Sequence, residues 1–195
     1  MKQMIDSKSA LREEILKKRN AVPKNEIETL SRVIMQKAAD LCKSAGIKLI
    51  MCYMDFRNEV MTGDFIRQCL ASGKRVALPL VERGTDGRKN ISAYEIKDEQ
   101  RDVSPGTYGI LEPNPAVAKL VKPTDIDLVI VPGVVFDEEK YRIGYGAGYY
   151  DRFLLKVRPD CIKAAPAFEI QIVDKVPREE HDIPVDIIIT EKRII

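Results

Sequence analysis

Apolar positions in the first 45 residues fall at helical spacing, first at Leu11, Ile15 and Leu16, then at Ile27, Leu30, Ile34, Ala38 and Leu41. This spacing predicts a first helix capped by Ser7 or Ser9, basic on its surface and ended before Pro23. A second helix is expected over residues 25–45, with Gly46 as the residue that closes it. Beyond it the pattern shortens. Residues 47–53 form an apolar run of strand length, residues 59–72 carry Phe65, Ile66, Cys69 and Leu70 as the inner side of a helix, and residues 75–81 are again strand-like. Gly84-Thr-Asp-Gly87 marks a turn, residues 91–96 a returning strand, and residues 127–131 a buried strand stopped by Pro132-Gly133. A helix with Tyr150, Phe153, Leu154 and Val157 on one face follows, and residues 161–165 and 187–190 read as two last strands.

Strands alternating with helices predict an α/β fold: a single-domain sandwich over residues 1–195, with a central mostly parallel β-sheet flanked by helices, Rossmann-like, and a hairpin or antiparallel edge. In such sheets ligands gather beyond the carboxyl ends of the strands. Residues 53–59, residues 132–148 and Thr190 leave those ends, so the functional groups are expected on one rim. Residues 97–123, which contain several prolines, are read as a long loop over that site.

Composition narrows the partners. The chain has 32 Lys and Arg against 30 Asp and Glu, a formal charge of +2, which lacks the basic excess of a nucleic-acid binder but allows a local basic pocket. Four cysteines, Cys42, Cys52, Cys69 and Cys161, have no C-x-x-C spacing, and His181 is the one histidine, so a structural zinc site is not expected. Charged residues interrupt the first apolar positions, and no run is long enough to cross a bilayer. These features lead to the expectation of a reduced, cytoplasmic protein without a membrane or an obligate protein partner.

The densest chemistry lies in Arg142-Ile-Gly-Tyr-Gly-Ala-Gly-Tyr-Tyr-Asp151-Arg152. Gly144, Gly146 and Gly148 remove Cβ atoms that would keep an anion from backbone N–H groups, and the helix behind them adds its positive end. The run is not a G-x-G-x-x-G, because Tyr149 stands at the last glycine, and no Gly-Lys-Ser/Thr follows. A tight strand-to-helix turn is the competing reading. Arg142 before the loop and Asp151 after it favour an anion site, one offering a phosphate partner and the other a ligand for a hard cation. Lys8 and Arg12, four apart on the first helix, share a face and can reach one polyphosphate, or simply be a solvated basic face.

Together with Val131-Pro-Gly-Val-Val-Phe-Asp137 before it, this run resembles the signature of the 5-formyltetrahydrofolate cyclo-ligase family. Lys8-Ser-Ala-Leu-Arg12, Asn58-Glu59-Val60, Gly106-Thr-Tyr-Gly-Ile-Leu-Glu-Pro113 and His181-Asp-Ile-Pro-Val-Asp186-Ile-Ile-Ile-Thr190 fall in the family's order, so the resemblance spans nearly the whole chain. It implies ATP- and Mg2+-dependent closure of 5-formyltetrahydrofolate to 5,10-methenyltetrahydrofolate, with both small molecules as partners and ATP as co-substrate. It also implies ATP binding by Lys8, Arg12, Arg142, Gly144, Tyr145, Gly146, Ala147, Gly148, Tyr149 and Tyr150, with Arg142 and Tyr149 catalytic. Met54, Glu59 and Tyr149 would hold the folate, and Asp151 and Asp186 the metal. Asp186 could equally be a strand-edge cap, Met54 is as readily a packing residue, and His181 reads as a hydrogen-bonding brace for the final strand.

Three departures stand out. Ala147 occupies a loop position where the family often has Gly or a basic residue, Met61-Thr62 stands where it often has Asp-Thr, and Ala164-Ala-Pro-Ala-Phe168 replaces a glycine-containing strand. The missing charge at 147 keeps open a non-catalytic folate- or nucleotide-binding regulator, and another small-molecule ATP-dependent ligase using the same loop is a further alternative.

Overall fold

The computed structural model describes residues 2–84, 87–106 and 109–195. The centre of the expected turn, Thr85 and Asp86, and Thr107 and Tyr108 of the mid-chain motif lie outside the described residues. Helix α1 runs Lys2–Asn20 and α2 Lys24–Ser44. Since α1 is already helical at Lys2, Ser7 and Ser9 are interior positions and not its caps. Pro23 separates the two helices because its ring fixes φ at −59° and it donates no N–H. On α2 the buried face is Ile27, Ser31, Ile34, Met35, Ala38 and Cys42, and Gly46 ends the turn at φ +64°, as expected.

Strands β1 (Leu49–Met51), β2 (Arg75–Arg83), β3 (Lys89–Ile96), β6 (Lys119–Val121), β7 (Leu128–Ile130), β10 (Ile162–Pro166) and β12 (Ile187–Ile189) form a sheet in the order β12-β10-β7-β1-β2-β3-β6. The first five in that order are mutually parallel, while β3 adds antiparallel to β2 and β6 antiparallel to β3. The predicted parallel sheet with an antiparallel edge is thus the observed one. Its central strands β1 and β7 are buried at every residue, as strands covered on both faces must be. Ile50, Leu128, Ile130 and Ala164 pack with α2 and with α3 (Gly63–Ala71), whereas Leu49, Met51, Val129 and Ala165 pack with Phe153 and Leu154 of α4 (Tyr149–Leu154).

Three expectations are corrected. Helix α3 begins at Gly63, not residue 59, because the Asp55 carboxylate accepts the Thr62 N–H at 2.8 Å and holds residues 55–62 as a folded turn that sends Glu59 inward. Residues 97–123 are not a loop over the site: they contain β4 (Val103–Pro105), β5 (Leu111–Pro113) and β6, and the latter edges the main sheet. Helix α4 is six residues long, so Val157 lies past its end and its dipole is small.

A second sheet positions the chemistry. Strands β8 (Val135–Asp137), β9 (Arg142–Ile143) and β11 (Ile172–Val173) pair in the order β11-β8-β9. Ile15 of α1 packs with Val134, Val135, Ile143 and Val176 in a separate apolar cluster. That contact lays α1 along the sheet from which the glycine loop springs.

Candidate active site

Residues 144–148 join β9 to α4 and edge a cavity of about 520 Å³, whose lining includes Lys8, Arg12, Arg142 and Asp151. Gly146 (φ +101°) and Gly148 (φ +62°) hold conformations that cost other residues energy. Two arginines grip the loop from opposite sides. Arg12 Nε donates to the Gly144 carbonyl at 2.7 Å, and Arg152 donates to the Ala147 carbonyl, Asn90 Oδ1 and the Lys89 carbonyl, each at 3.0 Å. The second grip ties the loop to β3.

Arg142 is 7% exposed; its guanidinium donates to the Ile183 carbonyl and, at 3.0 Å, to Asp151 Oδ1. Burial lowers its pKa from the ordinary value, and the Asp151 charge opposes that. Lys8 Nζ lies 2.6 Å from Asp182 Oδ2 and 2.9 Å from Glu179 Oε2. Burial alone would pull the Lys8 ammonium down, but the two carboxylates outweigh it and hold it above its usual pKa. Arg12 is lowered by burial.

The expected ATP-side residues therefore converge. Lys8, Arg12, Arg142, Gly144, Tyr145, Gly146, Ala147, Gly148, Tyr149 and Tyr150 all edge the one cavity. With α4 so short, an anion there would be held by loop N–H groups and side-chain cations rather than by a helix dipole.

The expected metal pair is not brought together. Asp186 Oδ2 accepts the Lys163 N–H and ion-pairs with Lys163 Nζ, both at 2.8 Å, and Asp186 does not line the cavity. Its carboxylate belongs to the edge of β10. Asp182 does line the cavity, with Asp151 and Glu179: it lies in the same motif as Asp186, beside Ile183, whose N–H reaches Asp151 Oδ1 at 3.3 Å. Glu179, His181 and Asp182 place ligand atoms within 4.8 Å of one another. His181 is largely exposed, its Nε2 3.7 Å from Glu179, so it lies beside a loop carboxylate, beyond hydrogen-bond reach, and is not the expected brace of the final strand. Spacing alone could not choose between Asp182 and Asp186, four apart in one motif.

On the folate side, Met54 lies in a different cavity of about 430 Å³, with Asp55, Met61 and Phe65. Glu59 is 6% exposed and accepts the Phe56 N–H at 2.9 Å. Burial pushes its pKa up to about 7, against the Phe56 bond, the charge of Arg19 and the Tyr145 hydroxyl. The turn before it holds Arg57 (φ +47°) and Asn58 (φ +49°) in left-handed geometry, a cost of roughly 1–3 kcal/mol each. Tyr145 links this group to the cavity: its ring is exposed at the loop, while its hydroxyl accepts Arg19 Nη2 at 2.8 Å and faces Glu59. Tyr149 is half-buried at the cavity, with the Arg152 guanidinium 5.5 Å from its ring centre. Arg19 and Arg152 were invisible as site residues, since a charged residue on a predicted basic helix face, or after a glycine loop, carries no sign of where it turns.

Residues 4–191 match the 5-formyltetrahydrofolate cyclo-ligase family. The chain belongs to that family. Among relatives of this cyclo-ligase family, the Saccharomyces cerevisiae 5-formyltetrahydrofolate cyclo-ligase is 28% identical, with 94% of each chain covered. The Mycoplasma pneumoniae protein of that name is 32% identical over 95% of this chain and 99% of its own. A solved structure of Aquifex aeolicus 5,10-methenyltetrahydrofolate synthetase superposes with a TM-score of 0.83 at 35% identity, covering 96% of this chain and 91% of that one. The cyclo-ligase fold is thus shared by sequence and by structure. Among the described residues no helix is long and apolar enough to cross a membrane.

Proposed function

We propose that this chain closes 5-formyltetrahydrofolate to 5,10-methenyltetrahydrofolate, with ATP and Mg2+, by phosphorylating the formyl oxygen. The observation that carries the reading is the meeting of Lys8 and Arg12 from α1 with Arg142, the glycine loop and Asp151 around one cavity.

The formyl amide is a poor electrophile with a poor leaving group. Its oxygen attacks the γ-phosphorus of ATP and ADP leaves; the neighbouring anilinic nitrogen then attacks the formyl carbon, loses its proton, and the C–O bond to phosphate breaks. Such a reaction asks the protein for positioning and charge neutralisation. Arg142, buried and rigidly held, faces the charge that develops on the transferring group, and a fixed cation in a desolvated site needs no reorganisation there. Arg12 and Lys8 neutralise the remaining phosphates, and the N–H groups of residues 144–148 surround them. Lys8 does so only by leaving Asp182 and Glu179.

Asp151 and Asp182 would offer the hard oxygen donors that Mg2+ takes, and the ion would supply neutralisation of the phosphate charge. Glu59 accepts paired donors of the pterin, reached past Tyr145, and Tyr149 packs on the substrate from the loop side. Met54, in its separate cavity, is left out of this set.

The test is the rise of the methenylfolate absorbance band with purified protein, 5-formyltetrahydrofolate, Mg2+ and ATP, with single-omission controls. A rise that needs every component supports the reading. Ligand binding without a rise would replace it with the regulator, the reading that Ala147 keeps open, or with a different ATP-dependent ligase.

A further inference from the structure

Among the described residues Arg19 is the largest fully buried charged side chain, at 0% exposure, yet its Nε and Nη1 have no hydrogen-bond partner there. A buried guanidinium normally satisfies its whole fork of donors on carboxylates. This one uses only Nη2, on the Tyr145 hydroxyl at 2.8 Å and the Arg57 carbonyl at 3.2 Å. It thereby joins three elements distant in sequence: the end of α1, the left-handed turn at Arg57 and Asn58 that delivers Glu59, and the glycine loop at Tyr145. Tyr150 Oη on α4 is likewise buried and without a partner among the described residues.

From this convergence we propose that Arg19 is a positioning residue for folate recognition, acting through Tyr145 and Glu59 to hold the folate half of the site in register with the phosphate half. The inference rests on the cyclo-ligase reading above. Arg19 does not touch the reacting atoms. It does two things: it pins the strained turn and the loop tyrosine to one another, and it places a permanent positive charge beside Glu59. The groups facing Glu59 are Arg19 from α1, Tyr145 from the loop, Tyr150 from α4, and Tyr53 and Asp55 from the segment after β1. Of these, Arg19 is the cation, so its loss favours the protonated form of Glu59.

Arg19→Met and Arg19→Lys separate positioning from packing. Steady-state kinetics between about pH 5 and pH 9 would be measured with each substrate varied in turn, alongside thermal unfolding. For R19M we expect KM for 5-formyltetrahydrofolate to rise about tenfold, KM for ATP to stay within about twofold, and the acid limb of kcat/KM for the folate to move up by about one pH unit. Its Tm should hold or rise, because an apolar chain of similar length replaces two unmet donors. R19K, which keeps the charge without the fork, should return the acid limb to its wild-type position while leaving the folate KM raised. Equal rises in both KM values, an unmoved acid limb in R19M, or activity lost only in step with Tm would overturn the proposal. Should R19M not fold, R19K decides: an unchanged folate KM would overturn the proposal, and a raised one with ATP KM unchanged would support it. If the wild-type protein gives no methenyl product, the functional reading fails by itself, and calorimetric binding of 5-formyltetrahydrofolate to wild type and R19K still tests Arg19: about tenfold weaker binding supports the role and equal binding overturns it.

Discussion

Glu59→Gln should make the protein more stable and less active at the same pH, and the size of both effects follows from burial. In the folded state the Glu59 carboxyl is pushed from 4.5 up to about 7. A raised carboxyl means that the folded state binds its proton more tightly than the unfolded chain. The contribution is fully present below about pH 4.5 and is lost as pH rises through about 7. The shift of about 2.5 units corresponds to roughly 3 kcal/mol that the ionised carboxylate costs the native state at pH 8. Gln has the same shape and no charge to desolvate, so E59Q should match wild type near pH 4.5 in denaturant-derived stability and exceed it by up to roughly 3 kcal/mol at pH 8. Activity runs the other way. If the ionised form receives the pterin donors, the competent fraction rises from about one-tenth at pH 6 to about nine-tenths at pH 8, and kcat/KM for 5-formyltetrahydrofolate climbs about tenfold across that interval. E59Q should be low and flat there, with KM for ATP little changed. The assays are urea unfolding at several pH values and initial rates of methenyl absorbance. A stability gap that does not widen with pH would refute the desolvation argument, and an E59Q profile that keeps the wild-type slope would refute the role of the carboxylate.

Arg142→Ala leaves Asp151 without its cation; about 3 kcal/mol of stability should be lost, and turnover should fall about a hundredfold or more with the fold retained by circular dichroism. Unchanged turnover would defeat the assigned role of Arg142. The two candidate metal carboxylates separate by magnesium titration: Asp182→Asn should raise the Mg2+ needed for half-maximal rate by about tenfold, while Asp186→Asn, whose carboxylate serves Lys163, should leave it where it is. Arg152→Ala frees the back of the glycine loop from β3 and should raise KM for ATP about tenfold, because the loop then orders only on binding, with KM for the folate within about twofold.

The fold was legible where burial imposes a period. The face of α2, the fully apolar β1 and β7, and Gly46 each carry a local signal whose cause is local, and each was readable in residue type and spacing. The errors fall where a tertiary partner overrides the pattern. Residues 59–62 have helical spacing, yet Asp55 captures the Thr62 N–H, and Glu59 caps its own turn through Phe56. Residues 97–123 look irregular because β4 to β6 are three residues each and pair with β3 and one another, not with near neighbours at a fixed period. The glycine loop was readable as an anion site, but its two clamps were not: Arg12 and Arg152 reach carbonyls, and a carbonyl leaves no trace in residue type.

The charge of the cavity explains why its pieces must act together. Its lining holds three cations, Lys8, Arg12 and Arg142, and three carboxylates, Asp151, Glu179 and Asp182, with Lys8 and Arg142 ion-paired to the carboxylates across it. Such a site is balanced at rest, and a bare polyphosphate entering it would meet as much repulsion as attraction. On the proposed reading, ATP carrying Mg2+ would change that balance, because each carboxylate given to the ion would free the cation it holds here for a phosphate. Substrate and metal binding would therefore be coupled through Lys8 and Arg142 on that reading. Arg12, which among the described residues spends its donors on the Gly144 carbonyl and Ser9 and on no carboxylate, is the cavity cation not held by an ion pair. The uncharged Ala147 at the loop tip adds nothing to the first attraction of a phosphate, so on the proposed reading the early electrostatic capture of ATP would fall to Arg12. An Ala147→Lys substitution should accordingly speed ATP association in low salt, and the advantage should vanish as ionic strength rises. Stopped-flow binding at two salt concentrations measures this directly, and a salt-independent gain, or none, would show that the loop tip lies off the path by which the phosphates enter.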